Sequence, residues 1–196
     1  MIEQFISFQS CGYELKGTLS VLQDSQKKPA ILILSGSGPL NRDGNDAKGK
    51  FQLNIYKQLA SFLTSLGFIV LRYDKRGVGE SGGDYLSAGM WDFVRDAASA
   101  VQFLKQHPLV DENRIIALGH SEGTTLAVAL NTLEKMDGLI LLSGAGERLE
   151  EAITRQRKLV YEALNNVTGL KGKMIRMFNP SSTVTRQTKC LSSLDT

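Results

Sequence analysis

The sequence predicts an α/β fold that begins with antiparallel strands, and three observations carry that expectation. Short apolar runs bounded by glycine, proline or charge, at residues 30–34, 68–73, 114–118 and 138–142, have the length and continuity of strands buried on both faces. Between them lie longer segments whose apolar residues recur at helical spacing. Strands alternating with helices of about ten residues or more require right-handed crossovers, and these place parallel strands in one sheet covered on both sides.

The elements follow in order. Gln4 to Gln9 and Tyr13 to Leu22 flank the turn at Cys11-Gly12 and read as an N-terminal hairpin. After Pro29 comes the continuous run Ala30-Ile31-Leu32-Ile33-Leu34. Leu53, Tyr56, Leu59, Ala60, Leu63 and Leu66 then mark one helix face, which Gly67 ends. Phe68 to Tyr73 is the next strand, and Met90 to Gln106 an amphipathic helix stopped by Pro108. Arg114 to Leu118, a helix through Thr124 to Leu130, and Gly138 to Leu142 complete a sheet of about six strands, mostly parallel.

From Glu147 the texture changes. Leu149, Ala152, Ile153, Val160, Ala163 and Leu164 line one face of a long helix, ended by Asn165-Asn166 or by Gly169. Eight of the last sixteen residues are Ser or Thr, too few apolar groups to offset ordering entropy, so Ser181 to Thr196 are expected to be loose. The expected organisation is a core over residues 1–146, a helical segment over 147–180 and a tail over 181–196.

Composition narrows the classes. The chain has 196 residues, 42% hydrophobic and 22% charged, ordinary for one globular domain able to bury a real core. Its start carries no basic stretch ahead of an apolar one, and no aliphatic run is long enough to span a bilayer. The expectation is a cytoplasmic protein with no membrane partner. Net charge is +3, and residues 151–196, with 8 basic and 3 acidic side chains, hold the excess. Without an aromatic-rich platform that excess reads as a solvated surface and not as a nucleic-acid site. Cys11 and Cys190 stand alone, with no CxxC and no adjacent histidine, and read as free thiols. No cofactor or metal is expected.

Gly119-His120-Ser121-Glu122-Gly123 carries the chemistry. It fits GxSxG and lies between the strand ending at Leu118 and the helix beginning near Thr124. A serine on so sharp a turn is held in strained backbone geometry with its hydroxyl pushed out of the sheet, and flanking glycines allow close backbone approach. Ser121 is therefore the candidate nucleophile. The alternative is that Ser121 merely caps the helix that follows. Ser35-Gly36-Ser37-Gly38-Pro39 leaves the strand at Leu34 as a glycine-rich turn, which can aim backbone N–H groups at an oxyanion. The donors would be the amides of Ser37 and of Glu122, the residue after the nucleophile. Asn41 to Asn45 can be read more simply as a loop closed by Asx turns.

These motifs together, with Arg42-Asp43-Gly44-Asn45 and Asp74-Lys75-Arg76-Gly77-Val78-Gly79-Glu80-Ser81 in the same order, resemble the α/β-hydrolase superfamily. More narrowly, the chain is similar to bacterial carboxylesterases and serine-aminopeptidase-like hydrolases that carry GSGPxxRDGN ahead of GHSEG. The resemblance covers roughly residues 1–150. It implies an eight-stranded parent fold with a helical cap after the sixth strand, Ser121 as nucleophile, Ser37 and Glu122 as oxyanion donors, and a small ester or related acyl substrate. It also implies that the last two strands, with the acid and histidine of the triad, are not encoded here.

Both histidines, His107 and His120, precede Ser121. On this architecture the partners follow the serine, in the order Ser, acid, His. His120 adjoins Ser121, where neighbouring side chains diverge. His107 ends a helix before Pro108, where a positive charge would suit the helix dipole. Asp137 reads as a turn residue. Two functions are therefore expected of this chain: a serine hydrolase with negligible activity on its own, or a non-catalytic interaction scaffold that self-associates through the exposed edge at Leu139 to Leu142. A dinucleotide site at Gly77-Val78-Gly79-Glu80-Ser81-Gly82 is rejected, because the fingerprint needs its first glycine at the strand end and a helix opening on the third. No Walker loop occurs.

Overall fold

The computed structural model describes residues 1–46, 49, 52–166 and 168. They fall into two units, Met1–Gly144 and Ala145–Thr196. In chain order the first contains β1 (Ile2–Ser10), β2 (Tyr13–Val21), β3 (Lys28–Leu34), α1 (Ile55–Ser65), β4 (Ile69–Tyr73), α2 (Met90–Gln106), β5 (Val110–His120), α3 (Glu122–Leu133) and β6 (Gly138–Leu142), while α4 (Leu149–Asn165) belongs to the second. The strands form one sheet in the order β1-β2-β4-β3-β5-β6. β1 with β2 and β2 with β4 are antiparallel, and β4, β3, β5 and β6 run parallel.

Alternation along β3 explains why helices cover both faces. Ala30, Leu32 and Leu34 point to one side, where they join Val94, Ala97 and Val101 of α2 and Leu126, Ala127 and Leu130 of α3. Ile31 and Ile33 point to the other, against Tyr56, Ala60 and Leu63 of α1. All five β3 residues are at most 3% exposed. Burying one such Leu or Ile contributes about 1.5–3 kcal/mol, so this central strand and its two helical layers carry much of the core.

The expected elements are present with shifted ends, and Leu53 and Leu66, read as positions of the first helix, lie outside α1 and are exposed. β5 starts at Val110, ahead of Arg114, because Val110 is buried and pairs with Lys28 before a register shift between Lys28 and Ala30. The hairpin strand β1 begins at Ile2. α4 has Glu150 and Glu151 in its first turn, where carboxylates suit the helix dipole, and an Arg155–Glu147 ion pair beside them. Its Ile153, Leu159 and Val160 are exposed. The tail at 181–196 and Cys190 lie outside the described residues. Among the described residues no helix is long and apolar enough to cross a membrane.

Candidate functional site

The chain passes from β5 to α3 through a single residue. Ser121 has φ 54° and ψ −117°, a conformation that a residue with a Cβ adopts at a cost of about 1–3 kcal/mol. Neighbouring glycines make the bend possible. A Cβ on Gly119 would collide with the Gly123 carbonyl, and one on Gly123 with the Leu34 carbonyl of β3. The backbone of Ser121 is tied at both ends: its N–H donates to the Leu142 carbonyl at 2.9 Å, and its carbonyl accepts from the Thr124 N–H at 3.0 Å and the Thr124 hydroxyl at 2.7 Å. Its side chain makes no capping hydrogen bond to α3, which rules out the capping alternative.

The glycine-rich loop after β3 lies against this bend. A Cβ placed on Gly36 would sit 3.4 Å from the Cβ of Ser121. Three side chains from three segments hold the loop. The Gly36 N–H donates to Tyr56 Oη of α1 at 2.7 Å, Lys75 Nζ after β4 donates to the Gly36 carbonyl at 2.7 Å, and Tyr85 ahead of α2 hydrogen-bonds the Gly38 backbone. Lys75 Nζ also donates to Glu122 Oε2 at 3.1 Å and lies 5.4 Å from the centre of the Phe93 ring. Ser37 is exposed at the crest of the loop, and Glu122 opens α3, whose first N–H groups have no intrahelical partner. Ser121, Ser37 and Glu122 thus fall on two adjoining segments. Gly36 supplies the contact between them.

Burial sets the electrostatics. It pushes the Lys75 ammonium below the usual lysine range, and the Glu122 carboxylate partly restores it. It raises the Tyr56 phenol against the opposing Gly36 N–H. Tyr85 is raised by burial first and by the Glu122 charge second, with the Gly38 backbone opposing. These phenols stay protonated near neutrality, and Lys75 is a charge held out of water by specific partners.

Both histidines hydrogen-bond groups other than Ser121. His120 Nδ1 lies 3.0 Å from Tyr56 Oη, with the two rings edge to face. His107 is the C-cap of α2, but not as a cation. Its Nδ1 accepts the Leu109 N–H at 3.3 Å and burial lowers its pKa, so the expectation of a positive charge on the dipole is corrected to a neutral, accepting imidazole. Residues 77–82 form a loop in which Gly77 N–H donates to the Gly82 carbonyl, and no helix opens before Met90, which removes the dinucleotide reading. The Asx reading of Asn41 is correct, since its Oδ1 accepts the N–H groups of Asp43 and Asn45, both at 3.0 Å.

Tyr56, Lys75 and Tyr85 escaped the reading of the sequence. Helical spacing shows Tyr56 only as an apolar position of α1. The signal for Lys75 was available: two residues beyond a strand buried from end to end, a charged side chain requires a partner.

Comparison with known proteins places the fold. The family model for serine aminopeptidases, S33, matches residues 52–193. Esterase EstD of Thermotoga maritima is 32% identical over 170 residues, 82% of this chain and 40% of its own length. Among solved structures, the α/β hydrolase GrgF from Penicillium sp. sh18 superposes with a TM-score of 0.64 at 22% identity, over 83% of this chain and 53% of that one. The esterase Pf2001 of Pyrococcus furiosus gives 0.62 at 19% identity, over 90% and 64%. These likenesses establish the fold, and the chain spans about two fifths of the curated esterase it matches. The chain belongs to the serine aminopeptidase S33 family and has the α/β-hydrolase fold.

Proposed function

We propose that this chain bears the nucleophile and the oxyanion donors of a serine hydrolase acting on carboxylic esters or related acyl substrates. The observation that carries the reading is the strained Ser121, uncapped and pressed against the loop through Gly36. The likeness to an esterase at 32% identity supports the substrate class. Ser121 Oγ attacks the acyl carbon while its proton passes to a general base, and the carbonyl π electrons move onto oxygen. The amides of Ser37 and Glu122 hold that oxyanion, a contribution of about 3 kcal/mol for each such donor. Collapse expels the leaving group, which takes the proton back, and water then hydrolyses the acyl-enzyme.

Residues 1–196 supply no histidine after Ser121, while His107 and His120 are engaged elsewhere. As an isolated polypeptide they should therefore turn over poorly, by a factor on the order of a million below a complete triad. The test is fluorophosphonate labelling with and without added imidazole as an external base. Slow labelling of Ser121, accelerated by imidazole and absent in Ser121→Ala, is expected. No labelling at Ser121 even with imidazole would reject the hydrolase reading, and p-nitrophenyl acetate turnover at ordinary enzyme rates without imidazole, abolished in Ser121→Ala, would reject the missing base.

A second reading, an interaction scaffold, rests on β6. It is an edge among the described strands, with Leu139, Leu141 and Leu142 exposed by 37%, 48% and 38%. An apolar edge with unpaired backbone recruits another strand. Sedimentation of residues 1–196 as a monomer at high concentration would count against it.

A further inference from the structure

We propose that Lys75 is a positioning residue which aims the Ser37 amide into the oxyanion site by holding the Gly36 carbonyl and the Glu122 side chain at once. The proposal rests on the hydrolase reading above and assigns a role to a side chain that the nucleophile and donors do not include.

The argument is geometric. The Gly36 carbonyl and the Ser37 N–H belong to one planar peptide unit, and no peptide bond in the described chain is cis. In a trans unit the two groups point in opposite directions. Lys75 Nζ, at 2.7 Å from the Gly36 oxygen, therefore directs the Ser37 N–H away from itself. Tyr56 and Tyr85 cannot do this. Tyr56 grips the Gly36 N–H, which belongs to the preceding peptide unit, and Tyr85 grips the backbone at Gly38. The unit between Gly36 and Ser37 could otherwise turn over, because Gly36 has no Cβ to restrict it, and a turned unit would present a carbonyl where a donor is needed.

The second hydrogen bond of Lys75 fixes the relation between donors. It reaches Glu122 Oε2 at 3.1 Å, on the residue whose own amide is the other donor. One ammonium thus spans the loop after β3 and the start of α3. The Phe93 ring of α2 lies 5.4 Å from the ammonium, and the Lys75 side chain is 5% exposed. A cation on the carbonyl also polarises the peptide unit and makes the Ser37 N–H a stronger donor.

The test is p-nitrophenyl acetate hydrolysis by residues 1–196 at fixed imidazole, with Ser121→Ala as the blank. Lys75→Met should lower the Ser121-dependent kcat at least tenfold, short of the roughly hundredfold to thousandfold loss for deleting a donor outright, with KM within about twofold. Glu122→Gln, which keeps the amide and loosens one end of the strut, should lower kcat in the same direction by less. A folded Lys75→Met with kcat within about twofold of the parent overturns the proposal and leaves the hydrolase reading intact. If Lys75→Met fails to fold, Glu122→Gln and Lys75→Arg decide: full kcat in both overturns the proposal. No Ser121-dependent rate in the parent chain at any imidazole concentration sinks the hydrolase reading and the proposal with it.

Discussion

Replacing Ser121 by glycine should make the protein more stable, and comparison with Ser121→Ala isolates the cause. Both variants lose the hydroxyl, which makes no capping hydrogen bond in the parent. They differ in the Cβ alone. At φ 54° and ψ −117° a residue with a Cβ carries about 1–3 kcal/mol of backbone strain, which glycine does not. Glycine loses about 0.5–1 kcal/mol more than alanine in chain entropy on folding. The difference leaves Ser121→Gly more stable than Ser121→Ala by about 1 kcal/mol at mid-range and by up to about 2.5 kcal/mol. For a chain of this size the mid-range value corresponds to a melting temperature about 2–4 °C higher, and the upper value to one up to about 10 °C higher. Thermal unfolding followed by circular dichroism, with urea midpoints as a second measure, reads it directly. A glycine variant no more stable than the alanine variant would refute the claim that the bend at Ser121 stores strain, and with it the main physical mark of the proposed nucleophile.

Gly123→Ala should destabilise by about 2 kcal/mol: the collision with the Leu34 carbonyl costs up to about 3 kcal/mol, against roughly 1 kcal/mol gained in helix propensity, and urea midpoints check it. Asp96→Asn strips the buried Arg76 of the carboxylate that meets it at 2.6 Å and should cost about 3–5 kcal/mol, read by the same measurement. The folded pKa of His107 lies below its unfolded value, so its contribution to stability is present above pH 6.5 and is lost as pH falls through the folded pKa. Replacement by Gln should flatten that part of the pH dependence between pH 7.5 and 5, at a cost at neutral pH of about 0.5–1.5 kcal/mol for the Leu109 hydrogen bond. Equal slopes in the two proteins would rule this out.

Periodicity made the scaffold legible, because each helix and strand here repeats a simple rule. α2 illustrates it: apolar spacing from Met90 to Gln106, then a proline two residues on, coincides with the helix as folded. The GxSxG pentapeptide was legible for a different reason, since Gly119 and Gly123 are the residues that two backbone collisions permit. The clamp around Gly36 was not. Tyr56, Lys75 and Tyr85 are separated by up to 29 residues and converge only because β3 and β4 are neighbours in a parallel pair, a register that no local pattern encodes. His107 misled through a general tendency. Cations favour helix C-termini, but a half-buried ring whose nitrogen already accepts an N–H cannot also carry the proton.

The short segment from Arg72 to Arg76 connects these points. Each charged side chain in it is buried, and each makes its own set of directional bonds. Arg72 reaches Glu3 of β1 and Asp43 of the loop before α1, Asp74 takes Arg42 of that same loop, Lys75 takes Gly36 and Glu122, and Arg76 takes Asp96 of α2. Stability alone gives little reason for such an arrangement, since well-packed apolar residues of similar volume commonly serve as well as buried ion pairs or better. What ion pairs provide and apolar contacts do not is direction: a carboxylate or carbonyl is bound from one side at one distance. Segments that leave the carboxyl ends of β3 and β4 have no ladder partners to orient them, so directional bonds from a neighbouring strand end supply what the sheet no longer can. One member of each pair is buried, so added salt should screen them less than pairs exposed on both sides. The loop geometry at Ser121 is accordingly a property of the folded core, set by the same strand end whose hydrophobic half completes the sheet.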